Sequence, residues 1–427
     1  MKEVSIVAAT FYGNRGAEAM LSTTIGSLRE CYGTDLTFNV FSYYPTRDRD
    51  LVKDPRINIY SSTPTYLVSV LIPCALVLRI LKFCGTKGLN RFSPRSVQAL
   101  ERSNVLVCLA GVSFVEGRTK FLPFNIATIL PAMLLNVPVV KFAQAMGPFK
   151  SFLNRLAAKL FLSRCRQVFA RGEKTYFHVR QLFGNQGNCQ RADDVAFLFK
   201  SDYCLTSGAE DFEQQLTALE RLRQNGKKVV GVCPSSVIAK SAQGEGWSYE
   251  ERMGELIACL VDSGFIVALY PHATRGEDLD KLHNNDLPLV KSVLEGLKPD
   301  VRKSVISFSG SLNAGQIQQI INACEVHVVS RFHAMVASLA SGVPVIVIGW
   351  SHKYLEVMER FSQQDMVLDY RKEGVNPVVS RVKQLINERE QRSDIIKDVL
   401  PHVKNLASQQ IWYVVDLLKR KNEYRIN

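Results

Sequence analysis

The feature that most constrains the fold is an alternation of short, β-branched apolar runs with amphipathic stretches of helical spacing. Such runs are typical of strands buried on both faces of a parallel sheet. They fall into two series, Val4–Ala9, Leu36–Phe41, Val105–Leu109, Val137–Phe142 and Gln167–Ala170, then Val229–Val232, Phe265–Leu269, Val305–Phe308, Val326–Val329 and Val343–Ile348. The pattern predicts an α/β protein with two doubly wound parallel sheets.

Two domains also suit the length of 427 residues, because single cores stop growing at about 250 to 300 residues. A strand-like run, Val195–Phe199, is followed by the short polar segment 201–208, where we place the linker. The predicted domains are therefore 1–200 and 209–395. Residues 396–427 contain apolar positions at helical spacing, and we expect this terminal helix to pack back on the first domain.

The chain is basic, with 53 Lys and Arg residues against 40 Asp and Glu residues. This balance attracts phosphates, nucleic acid or anionic lipid headgroups. Nucleic acid is the weakest of these partners, because the basic residues are scattered and no helix-turn-helix, zinc-finger or RNP signature is present. We therefore expect an anionic ligand or an anionic membrane surface, and no nucleic acid.

The cysteine pattern indicates a reducing compartment. The ten cysteines include no C-x-x-C pair, and Cys108 and Cys259 sit in apolar runs typical of reduced core thiols. The first apolar run is short and preceded by Glu3, which argues against a signal peptide. We expect a cytoplasmic protein and, since His and Cys show no ligand spacing, no metal.

An uncharged apolar stretch, Tyr66–Leu78, interrupts the strand series and is followed by the basic residues Arg79, Lys82, Lys87, Arg91 and Arg95. It is shorter than the roughly 20 residues that a membrane-spanning helix needs. It is either a core helix of the first domain, kinked at Pro73, or an interfacial helix whose basic flank contacts anionic lipid. The second interpretation makes 66–95 a membrane-contact segment on the inner face of the cell membrane.

Cationic and titratable side chains follow two neighbouring strands of the second series. Arg331 and His333 come directly after Val326–Val329, and His352 and Lys353 follow the next run. Open α/β sheets bind ligands at the carboxyl ends of their strands. This set suits a small, multiply negative ligand.

Glycine loops end strands of the first series. Residues 13–19 follow the first strand and open a helix, an arrangement that brings backbone N–H groups to a ligand; the alternative is a plain turn capped by Asn14. Gly111 and Ser113 lie in a second such turn, and Arg171 ends another strand. For Arg171 the alternative is a surface side chain in a salt bridge.

Two further positions carry titratable groups. Asp193 and Asp194 are adjacent, and adjacent strand positions point to opposite faces, so at most one of them faces a ligand. His272 follows another strand of the second series, although a single histidine is more often structural than catalytic.

Taken together, these motifs resemble the polysaccharide pyruvyl transferase family, in order from the first strand to about Lys353. They are Gly13-Asn14-Arg15-Gly16-x-Glu18-Ala19, Gly111-x-Ser113-Phe114, Gly147-Pro148-Phe149, Arg171-x-Glu173, Asp194-x-Ala196-Phe197, Ser330-Arg331-Phe332-His333-Ala334, Gly342-Val343-Pro344 and His352-Lys353. The resemblance implies a GT-B-like fold, with two Rossmann-like domains facing a cleft. It also implies transfer of pyruvate from phosphoenolpyruvate onto a sugar as a cyclic ketal.

The resemblance implies roles on the donor side. Arg171 and Arg331 bind the carboxylate and phosphate of phosphoenolpyruvate through forked hydrogen bonds. His333 protonates the methylene carbon, since its pKa suits a general acid. His352 and Lys353 bind or protonate the leaving phosphate. No metal or cofactor is required.

On the acceptor side, Asp194 or Glu18 deprotonates the attacking hydroxyl of a glycan, which we expect to be lipid-linked. Ala17 stands where the family usually has Asp, so that carboxylate's task is either absent or done by Glu18. Phe332 replaces the more usual Leu, a conservative change. The expected acceptor loops carry Asn14, Gly16, Gly111 and Ser113.

Two other functions remain as alternatives. A GT-B sugar-nucleotide glycosyltransferase usually carries a Glu four residues before the Gly of Gly-x-Pro, where this chain has Ser338. A non-catalytic, membrane-associated subunit of a polysaccharide assembly complex has no need for Arg171, Arg331 and His333 at strand ends. Both are therefore disfavoured.

Overall fold

A computed structural model of the chain describes residues 2–85, 89–184, 187–275, 284–349, 352–369, 371–372 and 374–420. The described chain divides into two compact units. The first unit comprises the described parts of 2–11, 20–198 and 404–420, and the second comprises the described parts of 12–19 and 199–403. The chain therefore changes unit four times, after residue 11, within the first helix, after residue 198 and within the last helix.

Within the described residues, the first unit is built on an eight-stranded sheet. Its strands are β1 Lys2–Val7, β2 Leu36–Ser42, β3 Ile57–Ser61, β4 Val105–Cys108, β5 Val112–Val115, β6 Val139–Gly147, β7 Gln167–Arg171 and β8 Cys189–Ala192. They pair in parallel in the order β3-β2-β1-β4-β6-β7-β8, with β5 beside β6. The strand order reverses between β1 and β4, the kind of point where doubly wound sheets bind ligands.

The second unit has a six-stranded sheet in the part of the chain that the structure describes. Its strands are β9 Val229–Cys233, β10 Ile266–Leu269, β11 Val305–Ser307, β12 Val326–Val329, β13 Val345–Ile348 and β14 Val367–Leu368. They also pair in parallel, in the order β11-β10-β9-β12-β13-β14. Here the reversal lies between β9 and β12.

Most strand connections are helical. Up to β8 the helices are α1 Arg15–Tyr32, α2 Pro45–Leu51, α3 Pro64–Tyr66, α4 Ile72–Phe83, α5 Arg95–Arg102, α6 Leu122–Ala127, α7 Leu130–Leu134, α8 Phe152–Leu162 and α9 Gly172–Phe183. After β8 they are α10 Phe212–Gln224, α11 Ser236–Gly244, α12 Tyr249–Asp262, α13 Leu287–Gly296, α14 Pro299–Arg302, α15 Ala314–Asn322, α16 Phe332–Ala340, α17 His352–Arg360, α18 Val375–Asn387 and α19 Arg389–Lys419. Residues 404–419 of α19 belong to the first unit, where the Gln410 side chain accepts from the N–H of Ala143 at 2.6 Å.

The two doubly wound parallel sheets predicted from the sequence are confirmed. Four strands were missed: β3, β5, β8 and β14. β3 and β8 include polar residues such as Asn58 and Gln190, and β14 has only two residues. These strands lack the continuous apolar run on which the prediction depended.

Two sequence expectations are corrected. Val195–Phe199 is not a strand, because Val195–Leu198 forms a 3₁₀ turn in which the Asp194 side chain accepts the N–H of Ala196 at 3.1 Å. Segment 12–19 was expected in the first domain but belongs to the second unit. Its polar groups bond to loops of that unit, as the site geometry shows.

Candidate functional site

Arg331 lies directly after β12, at the strand-order reversal of the second sheet. Its guanidinium forms a forked ion pair with the buried carboxylate of Asp286, the Nε to Oδ2 distance being 2.8 Å. It also donates to Asn284 at 2.7 Å and, across the reversal, to Ser236 after β9 at 3.1 Å. Burial is the largest single influence and would lower the pKa of Arg331, but the charge and hydrogen bonds of Asp286, with smaller contributions from Cys233 and Tyr354, together raise the pKa above the ordinary value.

The guanidinium of Arg331 thus has a partner inside the protein, and its expected role in donor binding stays a prediction. Two N–H groups of its guanidinium already donate to Asp286. Asp286 is 0% exposed and also accepts the N–H of Ala273 at 2.9 Å. A carboxylate held in this way must remain paired, because an isolated buried charge is costly. Arg331 therefore neutralises Asp286 and joins three loops at the sheet edge.

His333 lies in the first turn of α16, against the loop formed by residues 13–19. The backbone of Gly16 passes so close that a Cβ there would be 2.2 Å from Nδ1 of His333. The loop is held by the Arg15 N–H, which donates to the His272 carbonyl at 3.3 Å, and by the Asn14 side chain, which accepts the Gly16 N–H at 3.1 Å. Asn14 thus caps the turn, as in the alternative interpretation.

Glu18 is fully buried beneath this loop. It accepts from Arg15 Nη1 at 2.6 Å, from the backbone N–H of Ala314 at 3.2 Å and from the hydroxyl of Thr206. Thr206 lies in the segment expected to be a linker. With 0% exposure and these three donors, Glu18 fastens the loop to the start of α15. Its role as catalytic base stays a prediction.

His272 lies close to Arg15, Arg331 and His333 and was not among the predicted site residues. It is buried after β10, and its pKa lies well below the ordinary value, first because of burial and then because of the positive charges of His333, Arg331 and Arg15. It is therefore neutral near pH 7. The only sequence signal was its position after a predicted strand; its neighbours come from distant segments.

Arg171 and Asp194 pair with each other in the first unit, with 2.7 Å between Nη1 and Oδ2. Both side chains are buried. Glu173, the expected alternative partner of Arg171, pairs instead with Arg191. As with Arg331, the expected donor-binding arginine is held by a carboxylate, and Asp194 is engaged rather than exposed as a base.

Gly111 and Ser113 lie at the strand-order reversal of the first sheet, after β4 and in β5. The Ser113 hydroxyl is buried and donates to Gln144 at 2.7 Å. The Gly111 carbonyl accepts the N–H of Ala145 at 3.2 Å. Both residues stabilise the pairing of β5 with β6, and Ser113 contributes no exposed hydroxyl for an acceptor.

Lys353 and His352 begin α17, after β13. The Lys353 ammonium lies 5.2 Å from the ring centroid of Phe332 and 5.1 Å from that of Tyr354. The side chain of His352 is outside the described residues. Within the described ranges, no three or more His, Cys, Asp or Glu side chains are grouped so as to hold a metal ion.

Comparison with known proteins assigns the family. The model of the polysaccharide pyruvyl transferase family matches residues 14–352. The chain belongs to this family. The amylovoran biosynthesis protein AmsJ of Erwinia amylovora is 20% identical over 392 residues, which cover 89% of this chain and 91% of that protein. Together these findings support a pyruvyl transferase role in polysaccharide biosynthesis and confirm the resemblance.

The structural comparisons confirm the GT-B-like fold class of this pyruvyl transferase family member. A putative UDP-N-acetylglucosamine 2-epimerase from Listeria monocytogenes matches with a TM-score of 0.58 and 10% identity, over 100% of this chain and 98% of that one. Anabaena HepE in complex with UDP-glucose matches with a TM-score of 0.52 and 12% identity, over 97% and 100%. At these identities the likeness concerns the fold alone.

Gly16 offers a direct test of the packing around His333. In Gly16→Ala the new methyl would lie 2.7 Å from Cβ of His333 as well as 2.2 Å from its ring, so the histidine must move. Displacement of a catalytic group by about 1 Å can cost roughly 100-fold in rate, and we expect a loss of that order in kcat. The control is Gly244→Ala at the end of α11, where no atom lies within 4 Å. Wild-type turnover in Gly16→Ala would show that catalysis does not need this placement.

Proposed function

We propose that this family member transfers pyruvate from phosphoenolpyruvate onto a sugar diol of a cell-surface polysaccharide precursor and releases phosphate. The observation that carries the proposal is the position of His333. It lies in the first turn of α16 at the strand-order reversal, and the N-cap residue Arg331 makes no side-chain cap to that helix. Helix N-termini of this kind bind anions through their N–H groups.

The groups at the start of α16 and α17 favour a small anionic donor. The first turn of α16 receives the donor's phosphate or carboxylate, and the ion pairs of Arg331 with Asp286 and of Arg15 with Glu18 fix the surrounding loops. Lys353, at the start of the next helix, supplies a cation for the leaving phosphate. The helix dipole, backbone N–H groups and Lys353 are the donor contacts proposed here, and the contacts expected from Arg171 and Arg331 stay predictions.

The proposed reaction needs one proton on carbon and two new C–O bonds. The His333 imidazolium donates a proton to the methylene carbon, which becomes a methyl group, and C2 becomes electrophilic. One acceptor hydroxyl attacks C2, the bond from C2 to the phosphate oxygen breaks, and the second hydroxyl closes the ketal. The two hydroxyl protons balance the proton on carbon and the proton on phosphate.

His272 is a further candidate for taking a hydroxyl proton, beside the predicted carboxylates Glu18 and Asp194. Glu18 and Asp194 are each engaged by an arginine and by backbone N–H groups. The lowered pKa of His272 keeps it unprotonated at neutral pH, so it has a lone pair to accept a proton. The lipid-linked state of the acceptor is part of the proposal.

The test uses purified protein, phosphoenolpyruvate and a panel of lipid-linked and free oligosaccharides. We expect phosphate release only when a suitable diol is present, because protonation without a nucleophile in place does not lead to transfer. Parallel incubations replace phosphoenolpyruvate with sugar nucleotides. Consumption of a sugar nucleotide, with no dependence on phosphoenolpyruvate, would contradict the proposal and favour a glycosyltransferase.

A further inference from the structure

One continuous helix, from Pro64 to Phe83, presents a large apolar surface to solvent. It combines α3, a π-helical turn at Leu67–Leu71 and α4, and the π turn ends two residues before Pro73. Among the described residues it is the one helix long and apolar enough to cross a membrane by length and composition. Its outward face carries exposed apolar side chains, Val68, Leu76, Val77, Ile80 and Phe83, the last of which is 93% exposed.

The opposite face of this helix is part of the protein core. Leu67, Leu71, Ala75 and Leu78 are buried in the main hydrophobic cluster of the first unit. Spanning a bilayer would require all of these side chains to leave the core and would leave a cavity in their place, which destabilises the fold. The inner face of this helix is therefore part of the core, as in the first sequence interpretation, and its outer face is an exposed apolar strip.

A second helix, α8, repeats this arrangement. Its inner face, with Ala157, Ala158 and Leu162, is buried in the same cluster. Its outer face exposes four large apolar side chains, Phe152, Leu153, Leu156 and Leu160. A helix on the surface of a soluble protein normally turns polar residues outward. The apolar outer face of α8 was not among the features predicted from the sequence.

Both helices lie on the same side of the first sheet. The cluster that buries their inner faces also contains Leu106 of β4, Val139 of β6 and Val168 of β7, which project from one face of that sheet. The other face is covered separately, since Phe169 contacts Tyr413 of α19. The exposed apolar side chains of the two helices therefore point outward on the same side of the first unit.

The charges on the two outer faces have one sign. Neither residues 64–83 nor α8 contain Asp or Glu. The first helix carries the exposed residues Arg79 and Lys82, of which Lys82 pairs with Glu101 of α5 at 2.6 Å. α8 carries the exposed residues Arg155 and Lys159. Apolar side chains flanked by Arg and Lys are the composition of helices that lie in a membrane interface and bind anionic headgroups.

We infer that the outer faces of residues 64–83 and of α8 form a membrane-docking surface for a bilayer that contains anionic phospholipid. Both helices lie in the plane of the interface, with their apolar side chains among the acyl chains and their basic side chains at the headgroups. Neither helix spans the bilayer. The inference does not depend on the identity of the donor or the acceptor.

The test is co-sedimentation of the full chain with phosphatidylcholine vesicles, with and without phosphatidylglycerol. We expect binding to the anionic vesicles that weakens as salt rises. Charge reversal in Arg155→Glu with Lys159→Glu should lower the partition coefficient by more than about tenfold, since each basic residue near the surface adds to the attraction. The matched control reverses the charges of Lys227 and Lys228, which are exposed residues of the second unit, and should leave vesicle binding nearly unchanged.

Replacement of exposed apolar side chains by glutamine tests the apolar part of the docking surface. Leu153→Gln with Leu156→Gln, and Val77→Gln with Ile80→Gln, should each weaken vesicle binding, whereas Val237→Gln, at an exposed apolar position of α11, should not. Thermal unfolding verifies that each variant is folded. No binding of the wild type to anionic vesicles, or equal binding of all variants, overturns the inference. It is also overturned if the apolar variants instead dissociate a dimer, which would make this face an interface between copies.

Discussion

His333→Ala is expected to lose at least about 100-fold in turnover while phosphoenolpyruvate still binds. A positioned general acid contributes roughly 10² to 10⁴ in rate, and alanine supplies no proton. Donor binding should survive because the first-turn N–H groups of α16 and Lys353 remain. Steady-state phosphate release gives the turnover, and calorimetry with phosphoenolpyruvate gives the affinity.

The control for this variant is His402→Ala, which changes an exposed histidine of α19 and should leave both quantities unchanged. If His333→Ala turned over at nearly the wild-type rate, His333 would be removed from the mechanism. If binding and turnover disappeared together in a folded protein, His333 would be a ligand-binding residue rather than the acid.

Arg331→Ala is expected to destabilise the protein by about 3 to 5 kcal/mol, the range seen when one partner of a buried ion pair is removed. The variant leaves Asp286 buried without its ion-pair partner. Replacing both residues, Arg331→Met with Asp286→Asn, should recover much of this loss because no buried charge remains. Urea unfolding of the single and double variants measures the free energies.

A surface pair provides the comparison for Arg331. Arg371 pairs with Asp369, with side-chain exposures of 46% and 24%, and Arg371→Ala should cost less than about 1 kcal/mol. If Arg331→Ala unfolded like the wild type and only raised the KM for phosphoenolpyruvate, Arg331 would bind the donor directly. That outcome would restore the role expected from the sequence.

Local sequence signals predicted the two sheets because both series of strands are continuous β-branched runs. The same signals placed Arg331 and His333 correctly at the end of β12. A strand that is followed by a helical pattern ends at the carboxyl edge of the sheet, so the residues between the two lie at that edge. Strands such as β8, with Gln190 and Arg191, carry no such signal. Their pairing is determined by the neighbouring strand rather than by their own composition.

The partners of the site residues were beyond the reach of the sequence. Glu18 contacts the N–H of Ala314, 296 positions away, and Arg331 finds Asp286 45 positions earlier. No periodicity encodes such contacts, because they depend on how loops from several strands meet at one edge. For the same reason His272, which lies close to Arg15, Arg331 and His333, looked like an isolated histidine in the sequence.

The most direct measurement of the central claim follows the donor carbon. Phosphoenolpyruvate labelled with ¹³C at C2 is incubated with the protein and an accepting oligosaccharide, and the product is analysed by NMR and mass spectrometry. The account predicts that the label appears in a quaternary ketal carbon bearing a methyl group on the sugar, with one phosphate released for each ketal formed. Label that stays in phosphoenolpyruvate or appears only in free pyruvate, while the acceptor is unmodified or gains a sugar from a sugar nucleotide, would contradict it.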